Sequence, residues 1–271
     1  MDFANILVSV DDGPGTADRV QLAGALARRF GATLTAAAAR PMPVPSMHAA
    51  LQHEDDIRSA EEERLGADLA GIRALIAREA GPLRPTVWRQ ALASAAEHLI
   101  RQARGADLVV VGRRGPADGG GLLSVPPDRV LMEAGRPVLI APPGIARLAA
   151  ERILVAWKDT PEARRAVSAA LPLCRSAATV LVATVGPDAA DEGGADVAEH
   201  LARHGARARV RLLHGARGQD ESEPLLSLAH REGVDLVVLG AYGRGRLREW
   251  AFGGVTRSLL QRAPLCCLMS H

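Results

Sequence analysis

Asp107-Leu108-Val109-Val110-Val111-Gly112-Arg113-Arg114-Gly115 returns, 128 positions on, as Asp235-Leu236-Val237-Val238-Leu239-Gly240-Ala241-Tyr242-Gly243. Each copy is a short Leu/Val run that ends in Gly-x-x-Gly, the pattern of a buried strand passing into a glycine turn. Two further pairs keep the same order. Ile6-Leu7-Val8 returns as Ile153-Leu154-Val155, and Arg136-Pro137-Val138-Leu139-Ile140 returns as Ala263-Pro264-Leu265-Cys266-Cys267. Three matched landmarks in one order mean a duplicated unit, and a repeat of this size decides the fold before any local signal does.

Between the landmarks, apolar strands alternate with amphipathic helices. In the first half, strands are expected at Ile6 to Val10, Ala32 to Ala39, Thr86 to Arg89, Asp107 to Val111 and Val138 to Ala141. Helices run up to Gly31, over 54–80, from Ala91 to Arg104 and through Val130 to Glu133. The second half repeats the order, with strands at Ile153 to Ala156, Thr179 to Val185, Ala208 to Leu213, Leu236 to Leu239 and Leu265 to Met269. Its helices fall at about Glu162 to Cys174, Ala195 to His204, Glu223 to Glu232 and Val255 to Gln261. Continuous apolar strands alternating with helices indicate an α/β fold, each half a five-stranded parallel sheet with helices on both faces. The domains are 1–143 and 152–271, joined through Pro142-Pro143-Gly144. The two offsets, 147 for Ile6 to Ile153 and 128 for Asp107 to Asp235, leave 19 extra residues in the first half. Most of them belong to Pro41, Pro43, Pro45 and the acidic stretch that follows.

Bulk properties exclude several classes. With 33 basic and 31 acidic residues the net charge is only +2, and the bases are spread beside acids on helix surfaces. No dedicated nucleic-acid face is expected. No apolar run is long enough to cross a membrane. The start Met1-Asp2-Phe3-Ala4-Asn5 lacks the basic opening and apolar block of an export signal, so a cytoplasmic location is expected. Three cysteines, Cys174, Cys266 and Cys267, make no disulfide framework and suit buried thiols in a reducing compartment.

In an open parallel sheet, ligands bind beyond the carboxyl ends of the strands, where the strand order reverses. The candidate in the second half is Gly240-Ala-Tyr-Gly243, nine residues, then Gly253-Gly254-Val255-Thr256 opening a helix. Glycines let backbone N–H groups approach an anion, and a helix N-terminus adds favourable potential. This spacing after a fourth parallel strand, in two copies, resembles the universal stress protein family. The resemblance implies two tandem domains of the adenine-nucleotide alpha-hydrolase-like type, and a regulatory stress-response role with no catalytic residues. Some members bind ATP and others do not. By position, Leu239, Gly240, Tyr242, Gly243, Gly253, Gly254, Val255 and Thr256 would surround the phosphates and ribose of an ATP, with Mg²⁺ accompanying it. Thr184 would lie beside the adenine, with Ala156 and Trp157 at the end of the first strand. Family dimers commonly pair through their fifth strands, so the halves are expected to form an intramolecular pseudo-dimer at Val138 and Leu265, with a further homodimer open to the chain.

Each copy departs from the family pattern at a different point. ATP-binding members carry Asp at the end of the first strand, kept here as Val10-Asp11-Asp12-Gly13, but the second half has Trp157-Lys158-Asp159-Thr160. Lys158 reverses the charge and cannot accept a hydrogen bond from a ribose hydroxyl, though it can reach toward phosphate; Asp159 is placed to neutralise it. The first half keeps the Asp but has Val125-Pro126 at the Gly-Gly position counting forward from Gly115, or Pro126-Pro127 counting back from Pro137, and either way prolines remove backbone donors that phosphate needs. The alternative is a nucleotide-independent interaction protein with both sites decayed, in which partners read the surface, the acidic 54–80 helix among it. A weak ATPase is the third reading and has no evident general base. Other constellations are ordinary. His200 and His204 lie four apart without the Glu or third ligand of a zinc site. The acids at 54–56 and 61–63 form a solvated helix face, and Trp250 and Phe252 suit packing.

Overall fold

The computed structural model describes residues 2–42, 47–80, 86–113, 123–214, 221–241 and 254–271. Strands β1 (Asn5–Ser9), β2 (Thr33–Arg40), β3 (Val87–Leu92), β4 (Leu108–Gly112) and β5 (Val138–Ala141) form the first half. They alternate with helices α1 (Thr16–Phe30), α2 (Met47–Ala80), α3 (Ala95–Gln102) and α4 (Pro127–Glu133). The second half repeats them as β6 (Arg152–Ala156), β7 (Thr179–Val185), β8 (Ala208–Leu213), β9 (Leu236–Gly240) and β10 (Cys266–Ser270). Its helices are α5 (Pro161–Cys174), α6 (Gly194–Arg203), α7 (Ser222–Arg231) and α8 (Gly254–Arg262).

All ten strands join one sheet in the order β3-β2-β1-β4-β5-β10-β9-β6-β7-β8, so each half has the same internal order. Within a half the strands pair in parallel. At the centre, β5 pairs antiparallel with β10, Leu139 facing Leu268. That seam buries what would be the exposed edge of each five-stranded sheet. The α/β expectation and the strand order of events along the chain hold.

Strand alternation divides the core into two layers. Ile6, Val8 and Val10 face α1, α2 and α5 with Ile153, Val155 and Trp157. Leu7, Val109, Leu154 and Val237 face the opposite helices. Local signals set the helix ends. Gly31, at φ 62°, closes α1 by donating its N–H to Ala27 and Arg28 carbonyls. Thr160 caps α5, its Oγ1 accepting from Ala163 N at 3.2 Å, and Pro161 opens the first turn. Two boundaries shift by more than a residue or two, one of them at α2, which begins at Met47 and not at Glu54. Ala91 and Leu92, expected in a helix, complete β3 because they are in register with Ala39 and Arg40 of β2. β2 itself forms despite its alanines, since pairing on both sides and burial on both faces outweigh weak intrinsic propensity.

Candidate functional site

The strand order reverses between β1 and β4 in the first half, and between β6 and β9 in the second. The carboxyl ends of these strands are therefore the two candidate crevices.

In the second half, β6 ends at Ala156 and the chain turns through Trp157, Lys158 and Asp159 into α5. Trp157 N donates to Ala183 O at 2.8 Å, which prolongs the β6–β7 ladder by one residue. Its indole is only 7% exposed and packs in the apolar layer, and Nε1 donates to Glu192 O at 2.6 Å. Asp159 N donates to the Glu192 carboxylate at 3.0 Å. Thr184 is 0% exposed, and its hydroxyl donates to Ala189 O at 2.7 Å. The segment from Gly186 to Gly193 thus lies over the ends of β6 and β7, tied to Trp157, Asp159 and Thr184. The three residues expected beside an adenine are brought together, but the Trp157 indole is buried in the apolar layer and the polar atoms of Trp157 and Thr184 are spent on main-chain carbonyls.

Lys158 projects outward, 65% exposed, with Nζ 3.9 Å from Glu221. Asp159, expected to neutralise it, pairs instead with Arg164 at 2.5 Å, one helical turn into α5. The chain direction reverses at Thr160, so neighbouring side chains diverge.

At the end of β9, Leu239 and Ala241 are buried, and Ala241 N donates to Ser270 O. Gly240 is bare for a reason the sequence does not reveal. A Cβ there would lie 2.4 Å from Ala163 N and 2.7 Å from Glu162 C, because the first turn of α5 rests on it. Glu162 is buried beside this contact, with Oε1 accepting from Arg165 at 3.1 Å. Burial pushes its pKa up, but hydrogen bonds from its own amide and the Thr160 hydroxyl, with the Arg165 charge, more than offset this and hold it below the usual range. The α5 N-terminus thus carries its own anion. Arg165 also donates to His271 O. α8 opens at Gly254, and Thr256 is buried in its first turn, with Val255 between them. Tyr242, Gly243 and Gly253 lie outside the described residues, as do Trp250 and Phe252.

The first half is occupied differently. Asp11 accepts from Gly13 N at 3.0 Å, from the Thr16 hydroxyl, and from Arg19 Nη2 at 2.8 Å. Arg19 is 4% exposed; its Nε donates to Ser9 O at 2.9 Å, and Nη1 sits where a Cβ on Gly112 would come within 2.4 Å. The guanidinium therefore lies across the ends of β1 and β4, and the retained aspartate is bound to it. Sequence reading passed over Arg19. Its signal was available: the 147-residue offset places Ala163 and Ala166 at the positions of Thr16 and Arg19, so the buried cation belongs to one copy only. α4 begins at Pro127 after Pro126, the same helix position at which α8 begins at Gly254. Two residues without N–H groups therefore start this helix.

Among the described residues no group of three or more His, Cys, Asp or Glu is placed to hold a metal. None of the described helices is long and apolar enough to cross a membrane. The cysteines are buried, and burial pushes the Cys174 and Cys266 thiols up to about 12 and that of Cys267 higher still.

The model of the universal stress protein family matches residues 2–142 and again 150–271. A universal stress protein from Archaeoglobus fulgidus DSM 4304 superposes with a TM-score of 0.70 at 16% identity, over 97% of this chain and 94% of that one. A protein assigned to the same family from Pseudomonas aeruginosa UCBPP-PA14 gives 0.58 at 18% identity, over 98% and 92%. These likenesses concern the fold. No curated protein matches the chain in sequence.

Proposed function

This chain belongs to the universal stress protein family, and we propose that it serves the stress response as a regulatory protein that works without a bound adenine nucleotide. The observation that carries this reading is the state of the adenine position in the second half. The Trp157 indole expected there is buried in the apolar layer, and its N–H and the Thr184 hydroxyl are both committed to main-chain carbonyls of the segment that follows β7. A ring entering there would have to displace a buried indole and leave two carbonyls without donors, at a cost of several kcal/mol. Lys158 in place of the aspartate, and Arg19 with Pro126 and Pro127 in the first half, favour the same reading. A regulatory role, not a catalytic one, suits crevices whose polar groups are bound to one another. We further place the chain in the cytoplasm, as an intramolecular pair of halves joined through β5 and β10.

Calorimetric titration with ATP and Mg²⁺ tests this. The expected result is no binding heat; saturable binding tighter than about 0.1 mM, roughly 5.5 kcal/mol of affinity, overturns it. One observation favours a second reading, in which ATP with Mg²⁺ sits in the second half alone. The series Gly240, Gly243, Gly253, Gly254 and Thr256 is intact in sequence, and α8 opens at Gly254 with its N–H groups unencumbered by proline. Under that reading the same titration gives heat that disappears in Gly243→Pro.

A further inference from the structure

We propose that copies of this chain associate end to end, the basic edge strand β8 of one against the acidic first part of helix α2 of the next. The argument begins with charge that the overall balance conceals. Residues 200–219 contain five arginines and three histidines and no Asp or Glu, whereas residues 54–63 contain six acids and one arginine.

The fold keeps the arginines of β8 and the acids of α2 apart: β8 is one edge of the sheet, and α2 packs on α1 and reaches β2 and β3 in the other half. β3 and β8 are the two edges of the ten-stranded sheet, separated by about 43 Å at ~4.8 Å per strand spacing. β8 pairs with β7, and its other side is the open edge. Alternation along a strand turns Arg207, Arg209 and Arg211 to one face. Arg211 is 3.9 Å from Glu232, while Arg207 and Arg209 are exposed with no acidic partner among the described residues. Leu212 beside them is 51% exposed. In the other half, α2 buries Leu65, Leu69 and Ile76. Glu61 is turned inward to Arg40 and Arg64, and Asp55, Glu62 and Glu63 face solvent.

A second copy fits this edge better than other occupants. Two β8 edges meeting each other would set arginine against arginine, the charge pattern that keeps edge strands from pairing. The acid-bearing end of another copy presents the opposite charge on a comparable short length. Such a contact is heterologous, so each added copy leaves one basic and one acidic end free, and growth continues as a chain or closes as a ring. Because both surfaces are exposed, the attraction is screened by salt.

Sedimentation velocity on the full chain at about 0.01 M and about 1 M salt, where the screening length falls from about 30 Å to about 3 Å, tests the proposal. Multi-chain species are expected at low salt and single chains at high salt. Arg207→Glu/Arg209→Glu and Glu62→Arg/Glu63→Arg are each expected to sediment as single chains at low salt, with unchanged circular dichroism since all four residues are exposed. Mixed in equal amounts, the two variants restore the large species, because both of their ends are now complementary. A wild-type protein that sediments as a single chain at both salts overturns the proposal. So does association that survives either reversal, or a mixture that fails to restore it. Single chains that instead bind a short single-stranded DNA through Arg207 and Arg209 also overturn it, and assign the edge to nucleic acid.

Discussion

A methyl group at Gly240 has nowhere to go. In Gly240→Ala the new Cβ would stand 2.4 Å from Ala163 N, 2.7 Å from Glu162 C and 2.8 Å from Ala163 Cα. All three are backbone atoms, so no rotamer change relieves the contact, and the first turn of α5 must lift off β9 by about 1 Å to reach ordinary separations. That turn is held by the Thr160 cap, worth about 1 kcal/mol, and by Ala163 and Ala166 in the core. Overpacking of this kind costs about 1–3 kcal/mol, and with a strained cap the expected loss is about 3 kcal/mol. At roughly 2–4 °C per kcal/mol for a chain of this size, the thermal midpoint falls by about 6–12 °C. Gly112→Ala is the internal control. Its Cβ meets the end of a side chain, Arg19 Nη1, at 2.4 Å, so relief needs only a shift of a guanidinium that Ser9 O and Asp11 hold, not of backbone, and the expected loss, about 1 kcal/mol, is the smaller of the two. Differential scanning calorimetry of the ligand-free protein measures both. A Gly240→Ala protein melting within about 2 °C of wild type would refute the packing argument, and would return this glycine to the role of giving a phosphate close approach.

The other expectations are smaller in scope. Arg19→Met leaves Asp11, half-buried, without its cation and should cost about 3 kcal/mol by urea unfolding, whereas Arg19→Met/Asp11→Asn recovers most of it; equal losses in the two variants would contradict the pairing. Burial lowers the pKa of His98, with the Arg101 charge adding to this and the hydrogen bond to Arg89 O opposing it. The unfolded chain then binds the proton more readily, so stability present above about pH 6.5 is lost as the pH falls through it. In His98→Gln this part of the pH dependence should vanish from the urea midpoints. The three buried thiols, pushed far above neutral pH, should resist a water-soluble thiol reagent in the native protein and all react in urea; labelling of Cys266 or Cys267 without denaturant would show that the β5–β10 seam opens.

The fold was legible because its evidence is local. Each Leu/Val run declares a buried strand over five residues, and a repeat of such runs separated by helices leaves a parallel sheet as the economical solution. Once buried, a strand cannot slip by one residue without turning its apolar set outward, so the landmarks carry register as well. The family resemblance rests on the same short motifs. Boundaries were less legible where pairing overrides local preference, as at Ala91 and Leu92.

Occupancy of the crevices is a property of distant residues meeting. Trp157 reads as an aromatic after a strand; that its N–H closes on Glu192 O, 35 residues on, depends on how the turn after β7 folds back. Arg19 reads as one more helix-surface arginine until α1 lays it across β4 and Gly112, 93 residues away. Gly240 reads as a phosphate glycine until α5 is seen resting on it. Charge behaves in the same way: along the chain acids and bases balance, and only the fold gathers the arginines of β8 on one sheet edge, away from the acids of α2 in the other half. Duplication, strand register and the glycine series follow from the amino-acid order alone, because neighbours in sequence suffice to specify them. What fills each crevice, and where charge collects, follows from packing, because those contacts join residues that are neighbours only in space.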